Sequence, residues 1–202
     1  WGTKDTGVGK LYYPVPKDRD QAFFNSNGLL VKYLGQNQMP FLQGWKFKIA
    51  DINGLNYVAR YFDRYFLNAL TREQVMDISK TFITQMTDDV IKEAASKYPP
   101  EIKVMDSGFT VNKLISRRKD FEKNAMKYYH FLARTVTVTG SNEQEYFHVT
   151  NDNGAIRLSV YKKSPVSDTS VLIYKRSFNG KETNELILYG LNGDDKFEVD
   201  RD

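Results

Sequence analysis

The spacing of apolar residues changes once along this chain of 202 residues, close to Arg134. Before Arg134 the apolar side chains recur every three or four residues, as on one face of an α-helix. After it, segments such as TVTVTG and ELILYG alternate in steps of two, as in a β-strand. The change predicts an α+β fold with an irregular N-terminal hairpin region, a helical middle and a C-terminal antiparallel β-sheet. It also divides the chain into two predicted regions, 1–134 and 135–202.

Several segments before Arg134 carry helical signals. Thr71, followed by Gln74 three residues later, has the pattern of a capping box at the start of a helix. Thr87 is predicted to cap the next helix. The longest predicted helix covers 111–134, with Thr110 as its cap and an apolar stripe that only Arg118 interrupts.

The segment 55–70 is rich in aromatic residues at helical spacing, which predicts a helix with an aromatic face packed against a core. A platform for a carbohydrate or a peptide is the alternative. The aromatic residues concerned are Tyr57, Tyr61, Phe62, Tyr65 and Phe66.

Residues typical of turns occur in both regions of the chain. DTGVG at 5–9 predicts a turn between two strand-like pieces, the second of them at Leu11–Val15. A short helix is predicted to end at Gly35. NDNG at 151–154 and FNGK at 178–181 each predict a hairpin.

Composition excludes several classes of function. The chain has no cysteine, which excludes disulfides, thiolate metal sites and a cysteine nucleophile. The formal net charge is +4, but Lys and Arg are interleaved with Asp and Glu, so no nucleic-acid partner is predicted. No apolar run is long enough to span a membrane, and the N terminus has no signal-peptide pattern. Because the chain begins with Trp1, we interpret it as a cut from a longer chain, whose other domains are the predicted partners.

Two carboxylates follow a proline-flanked extended segment. Residues i and i+2 of an extended segment face the same side, so Asp18 and Asp20 can point together. Paired carboxylates suit a hard divalent cation such as Mg²⁺. A solvated, charged turn is the alternative interpretation of the same residues.

The segment GKLYYPVPKDRDQAFF resembles the metal-binding strand of CotH-type kinases, a protein-kinase-like family with an atypical active site. In that family an Asp-x-Asp binds the metal of ATP, so the resemblance implies that Asp18 and Asp20 bind Mg²⁺ or another divalent cation. The residues before Asp18 lack the phosphate-clamping lysine and the catalytic base that phosphoryl transfer needs. The resemblance therefore implies the second half of a kinase-like lobe within 1–134, without catalytic residues and without turnover by the isolated fragment.

A wider resemblance extends over nearly the whole chain. It is carried by YYPVPKDRDQAFF, GLNYVARYFDRYFL, LTREQV, MTDDVIKEA, YYHFLAR and LILYGLNGDDKF. These segments resemble a region of large envelope proteins of Gram-negative bacteria that accompanies calcineurin-like phosphoesterase domains or outer-membrane surface-antigen barrels. The resemblance implies a periplasmic or outer-membrane location and no established activity.

GLNGDDKFE at 190–198 resembles a single calcium-binding nonapeptide repeat, with Asp194 and Asp195 as the acidic residues of a weak calcium turn. Such repeats share each ion between stacked turns, and one copy lacks half of the ligands. The alternative is a turn before the last strand.

Three further residues, Arg60, Asp63 and Arg64, are predicted to buttress the Asp18–Asp20 segment. The leading functional hypothesis is a non-catalytic or half-catalytic region of a larger bacterial envelope protein, with a divalent-metal site left from a kinase-like fold. The alternative is a pure binding or scaffold module whose β-sheet contacts a neighbouring domain, a glycan or an outer-membrane barrel.

Overall fold

The computed structural model describes residues 2–6, 10–13, 15, 22–24, 28–106, 108–163 and 170–200, and it confirms the α+β class. A short hairpin comes first, formed by the antiparallel strands β1 (Gly2–Asp5) and β2 (Lys10–Tyr13). The helices that follow are α1 (Leu29–Asn37), α2 (Ile52–Leu55), α3 (Arg60–Phe66), α4 (Arg72–Gln85), α5 (Asp88–Ser96), α6 (Pro100–Asp106), α7 (Phe109–Lys119) and α8 (Phe121–Ala133). The strands after Arg134 are β3 (Thr135–Thr139), β4 (Glu145–Asp152), β5 (Ala155–Lys163), β6 (Ser170–Asn179), β7 (Glu185–Tyr189) and β8 (Lys196–Val199). In the part of the chain that is described, no helix is long and apolar enough to cross a membrane.

The capping signals predicted two helix starts correctly. At α4 the Gln74 N–H donates to Thr71 Oγ1 at 3.3 Å, and the Thr71 N–H donates to Gln74 Oε1 at 2.8 Å. At α5 the Val90 N–H donates to Thr87 Oγ1 at 3.3 Å. Each cap satisfies backbone donors that the helix itself leaves without a partner.

The segment 111–134 forms two helices, so the prediction of one continuous helix is wrong. α7 ends at Lys119 and α8 begins at Phe121. The N–H of Asp120, between them, donates to the Arg117 and Arg118 carbonyls and not to a carbonyl four residues back. An aspartate competes for nearby backbone groups and favours such a break.

Thr110 is also not a helix cap, because α7 begins one residue before it, at Phe109. Gly108 precedes α7 with a left-handed φ of 77°, a conformation that glycine adopts at no steric cost. The Thr110 hydroxyl and backbone N–H both donate to Asp106 Oδ1, at 2.8 and 3.0 Å. The turn between α6 and α7 therefore supplies the cap.

The aromatic face predicted to be a core face is exposed instead. Tyr57, Tyr61 and Tyr65 expose 43%, 68% and 50% of their surface. Beyond Leu55, where α2 ends, only α3 is helical in the predicted segment, after a turn at 56–59. The inward side of α3 presents Asp63 and Arg64 to a cavity. Helical spacing identified one face of the segment, but the opposite face is the one turned inward.

The β-region contains two sheets. Strands β6, β5, β4 and β8 form one sheet, in which β4–β5 and β5–β6 are antiparallel as predicted, while β8 is parallel to β4. At the β4–β5 hairpin, Asn153 and Gly154 have φ of 53° and 83°, the positive values that a type I′ turn requires. Strands β3 and β7 form the second sheet, and they are parallel.

The hairpin predicted at FNGK is therefore wrong. A turn does form there, since the Thr183 N–H donates to the Asn179 carbonyl at 2.9 Å. The chain that leaves it does not return along β6 but pairs with β3, which places Val136 beside Leu186 and Val138 beside Leu188. The turn predicted at 178–181 is present, but the strand after it pairs with β3, which is distant in sequence, and not with β6.

One apolar core lies between the two sheets. It is formed by inward side chains from both of them: Val136, Val138, Phe147, Leu158, Val160 and Phe178. Leu186 and Leu188 of β7 pack against this core. Burial of this apolar area is the main stabilising contribution in the β-region.

Candidate functional site

Asp18 and Asp20, the predicted metal ligands, lie outside the described residues, and the metal site stays a prediction. Among the residues that the structure does describe, no group of three or more His, Asp or Glu is placed to hold a metal ion.

Asp194 and Asp195, the predicted calcium turn, lie in the loop before β8. The Glu145 N–H at the start of β4 donates to Asp195 Oδ1 at 2.9 Å. Asp194 is exposed. Asp195 therefore ties the loop to the neighbouring strand, as expected of a structural turn.

The predicted buttress residues have different surroundings. Arg60 stacks on Tyr57 and Tyr61, with its guanidinium carbon 3.5 and 4.1 Å from the two ring centroids. Asp63 and Arg64 instead face inward and line a cavity. Whether any of the three supports Asp18 and Asp20 stays a prediction, because those two positions are outside the described residues.

This cavity, which we call the arginine cavity, has a volume of about 210 Å³. It lies where α3, α4 and α8 meet β3 and β6. Its walls are mainly apolar: Leu67, Leu70, Val75, Phe121, Ala125, Leu132 and Val136. Its charged lining residues, among those described, are Asp63, Arg64 and Arg176.

Arg176 is the most buried cation of the site, with 7% of its surface exposed. Its guanidinium donates to the backbone carbonyl of Asn68 and, at 3.3 Å, to the Tyr129 hydroxyl. Its buried Nε has no hydrogen-bond partner among the residues that the structure describes. The charge is therefore met by neutral oxygens, and Glu182 is reached only through Tyr129, whose hydroxyl donates to Glu182 Oε2 at 3.2 Å.

Two tyrosines of the cavity are held in the protonated form. Burial, together with a hydrogen bond of 2.5 Å from the Tyr128 hydroxyl to Asp63 Oδ2, raises the pKa of Tyr128 well above its ordinary value. Burial also raises the pKa of Tyr129, against the opposing effect of Arg176. Both phenols are neutral hydrogen-bond donors near neutral pH.

Arg64 lines the same cavity, and within the described part of the chain it forms no hydrogen bond. Its buried Nε has no partner there, and its guanidinium carbon is 5.4 Å from the Phe131 ring centroid. The cavity thus carries two guanidinium groups whose donors are not fully used.

A larger apolar cavity of about 710 Å³ lies among α4, α5, α7 and α8. Arg117 at its wall stacks on Trp45 at 3.8 Å and donates to the Lys46 carbonyl at 2.8 Å. Burial lowers the pKa of Lys113, whose Nζ donates to the Trp45 carbonyl. Lys113, which lies outside the cavity lining, and Arg117 therefore both hold the segment around Trp45 against α7.

The exposed aromatic residues of β2 and α3 form a continuous patch, which we call the aromatic surface. It consists of Tyr12, Phe62 and Tyr65 around the half-buried Phe66, together with Tyr61, which is exposed one turn before Tyr65 on α3. The Phe66 ring centroid is 5.6 Å from that of Tyr12, 4.5 Å from that of Phe62 and 5.0 Å from that of Tyr65. The contact between Tyr12 and Phe66 joins the N-terminal hairpin to α3.

No family model matches the chain, and no curated protein or solved structure matches it either. What the chain does must therefore be argued from its own residues.

Sequence reasoning did not identify Arg176 and Tyr129. A signal for Arg176 existed, because Tyr174, Arg176 and Phe178 occupy alternate positions of one strand and their shared face is turned inward. An arginine on the buried face of a strand indicates a partner or a site. The position of Asn68 beside it depends on non-local packing and had no such signal.

Proposed function

We propose that this chain is a non-catalytic region of a larger bacterial envelope protein, and that it acts by binding a neighbouring domain of the same protein. The supporting observation is the aromatic surface, where exposed rings contact one another around Phe66. Continuous exposed apolar patches mark interaction sites, and their aromatic residues contribute most of the binding energy. The envelope setting rests on the sequence resemblance.

The chemistry of the arginine cavity favours binding over turnover. The raised pKa values of its tyrosines make these phenols poorer acids near pH 7 than ordinary tyrosines. The Ser79 hydroxyl at its wall donates to the Val75 carbonyl of its own helix at 2.7 Å. A nucleophile needs a nearby base to activate it, and this serine is bonded to a backbone carbonyl instead.

Oxidative footprinting of tyrosines tests the proposed interface. The exposed tyrosines Tyr12, Tyr61 and Tyr65 are labelled in the isolated chain and in the longer envelope protein. We expect all three to be protected in the longer protein, while Tyr189, which is exposed on β7, serves as the reference. Equal labelling of the aromatic surface in both proteins would contradict the proposal.

The half-catalytic alternative rests on the resemblance of Asp18 and Asp20 to a kinase metal strand. Thermal unfolding with Mg²⁺, Mn²⁺ and Ca²⁺ tests it, on the wild type and on Asp18→Asn/Asp20→Asn. A metal that binds only the folded state stabilises it by about 2.7 kcal/mol at a hundredfold excess over its dissociation constant. A shift present only in the wild type supports the metal site, and ATP hydrolysis lost in the double variant would overturn the non-catalytic assignment.

A further inference from the structure

We infer that the arginine cavity binds an amphipathic monocarboxylate, with the carboxylate on Arg64 and Arg176 and the hydrocarbon among the apolar side chains. This inference adds a small-molecule ligand to the function proposed above. It rests on that proposal only in treating the chain as a binding protein and not as an enzyme. The cavity, its charges and its unused donors carry it.

The charged side chains that line the cavity would be neutralised by one additional negative charge. Asp63 is the only carboxylate among its described lining residues, and it already accepts the Tyr128 hydroxyl. Two guanidinium groups and one carboxylate leave a net charge of +1, which a monoanion neutralises. A buried cation without a direct anionic partner is costly, and Arg176 is in that situation.

The donors that remain free suit a carboxylate. Arg64 lines the cavity, and among the described residues its guanidinium forms no hydrogen bond, although the Nε atoms of both arginines are enclosed by protein atoms. Guanidinium N–H groups form short, charge-assisted hydrogen bonds with carboxylate oxygens. A neutral ligand would leave the terminal Arg64 donors unpaired and the charge uncompensated.

The apolar walls set the size and nature of the rest of the ligand. A volume of about 210 Å³ equals that of roughly seven water molecules. A methylene group occupies nearly the same volume as a water molecule, so a hydrocarbon chain of about seven carbons, such as that of octanoate, fills the cavity. Leu67, Val75 and Phe121 on its walls offer no polar atom to such a chain.

Isothermal titration calorimetry with octanoate and 1-octanol tests the inference, because the two ligands share chain length and differ in charge. We expect the wild type to bind octanoate about tenfold to a hundredfold more tightly than octanol, the range that charge-assisted hydrogen bonds provide. Arg64→Met, which removes no hydrogen bond between described residues, is expected to lose at least tenfold in octanoate affinity and little in octanol affinity. Arg176→Met is expected to bind both ligands equally.

Arg60→Met is the matched control, because Arg60 lies on the same helix but stacks on Tyr57 and Tyr61. Octanoate affinity is expected to be unchanged in it. Equal affinity of the wild type for octanoate and octanol, no binding of octanoate, or an equal loss in Arg60→Met and Arg64→Met would each overturn the inference. None of these results affects the expected protection of tyrosines in footprinting or the test of ATP hydrolysis. The proposed function is therefore tested independently of this inference.

Discussion

At the scale of single residues, Tyr174 shows how a buried hydroxyl links the two regions of the chain. It lies in β6, and its hydroxyl donates to the Asn68 carbonyl at 2.9 Å. Burial raises the pKa of Tyr174 to about 12, although Arg176 opposes the shift. In the unfolded chain the same phenol titrates near pH 10. Between these two values the folded state binds more protons than the unfolded state.

The free energy of unfolding should therefore fall as pH rises from 10 to 12, by up to about 1.4 kcal/mol per pH unit for this one group. For Tyr174→Phe we expect a loss of roughly 1 kcal/mol at pH 8, because the hydrogen bond is removed. At pH 11 the two proteins should be nearly equal in stability. Urea denaturation of both at pH 8, 10 and 11 measures this, and the titration of shared groups cancels in the difference. A difference that does not change with pH would argue against the raised pKa.

At the scale of elements, helix α4 depends on its capping box for its start. Thr71 and Gln74 exchange two hydrogen bonds across the first turn. We expect Thr71→Ala to lower the free energy of unfolding by about 1 kcal/mol, because it leaves a backbone donor without a partner. Thr81→Ala, at an exposed position within the same helix, is the control and should be neutral or slightly stabilising, since alanine is the better helix former. Guanidinium denaturation of both variants measures this, and equal losses would contradict a specific role of the cap.

Among the helices, strands and turns, those that depend on local residues could be predicted from the sequence. Caps and tight turns are local, so Thr71, Thr87 and the NDNG turn were identified correctly. The parallel pairing of β7 with β3 is non-local, and the turn at FNGK carries no information about it. The inward face of α3 was missed for a related reason, since periodicity defines a face but tertiary packing decides which face is buried. Arg176 became a candidate site residue only once α3 was placed against β6.

At the scale of the whole molecule, a few hydrogen bonds join the helical region to the β-region across Arg134. Asn68 contributes three of them: its Nδ2 donates to the Thr137 carbonyl at 2.9 Å, and its backbone carbonyl accepts from Tyr174 and Arg176. Arg72 of α4 adds an ion pair with Glu182 at 3.7 Å. The arginine cavity is lined by both regions, so any ligand that fills it would contact both.

These contacts predict that regions 1–134 and 135–202 unfold together. Both tryptophans lie before Arg134, so their fluorescence reports on the helical region, while hydrogen exchange of β4 and β5 amides reports on the β-region. We expect equal free energies of unfolding from the two measurements, and a parallel loss of about 1 kcal/mol in both for Asn68→Ala. Asn112→Ala, at an exposed position of α7, should change neither by more than about 0.5 kcal/mol. If Asn68→Ala lowered only the fluorescence value, the two regions would be independent domains that merely touch at Arg134, and the cavity between them could not depend on both.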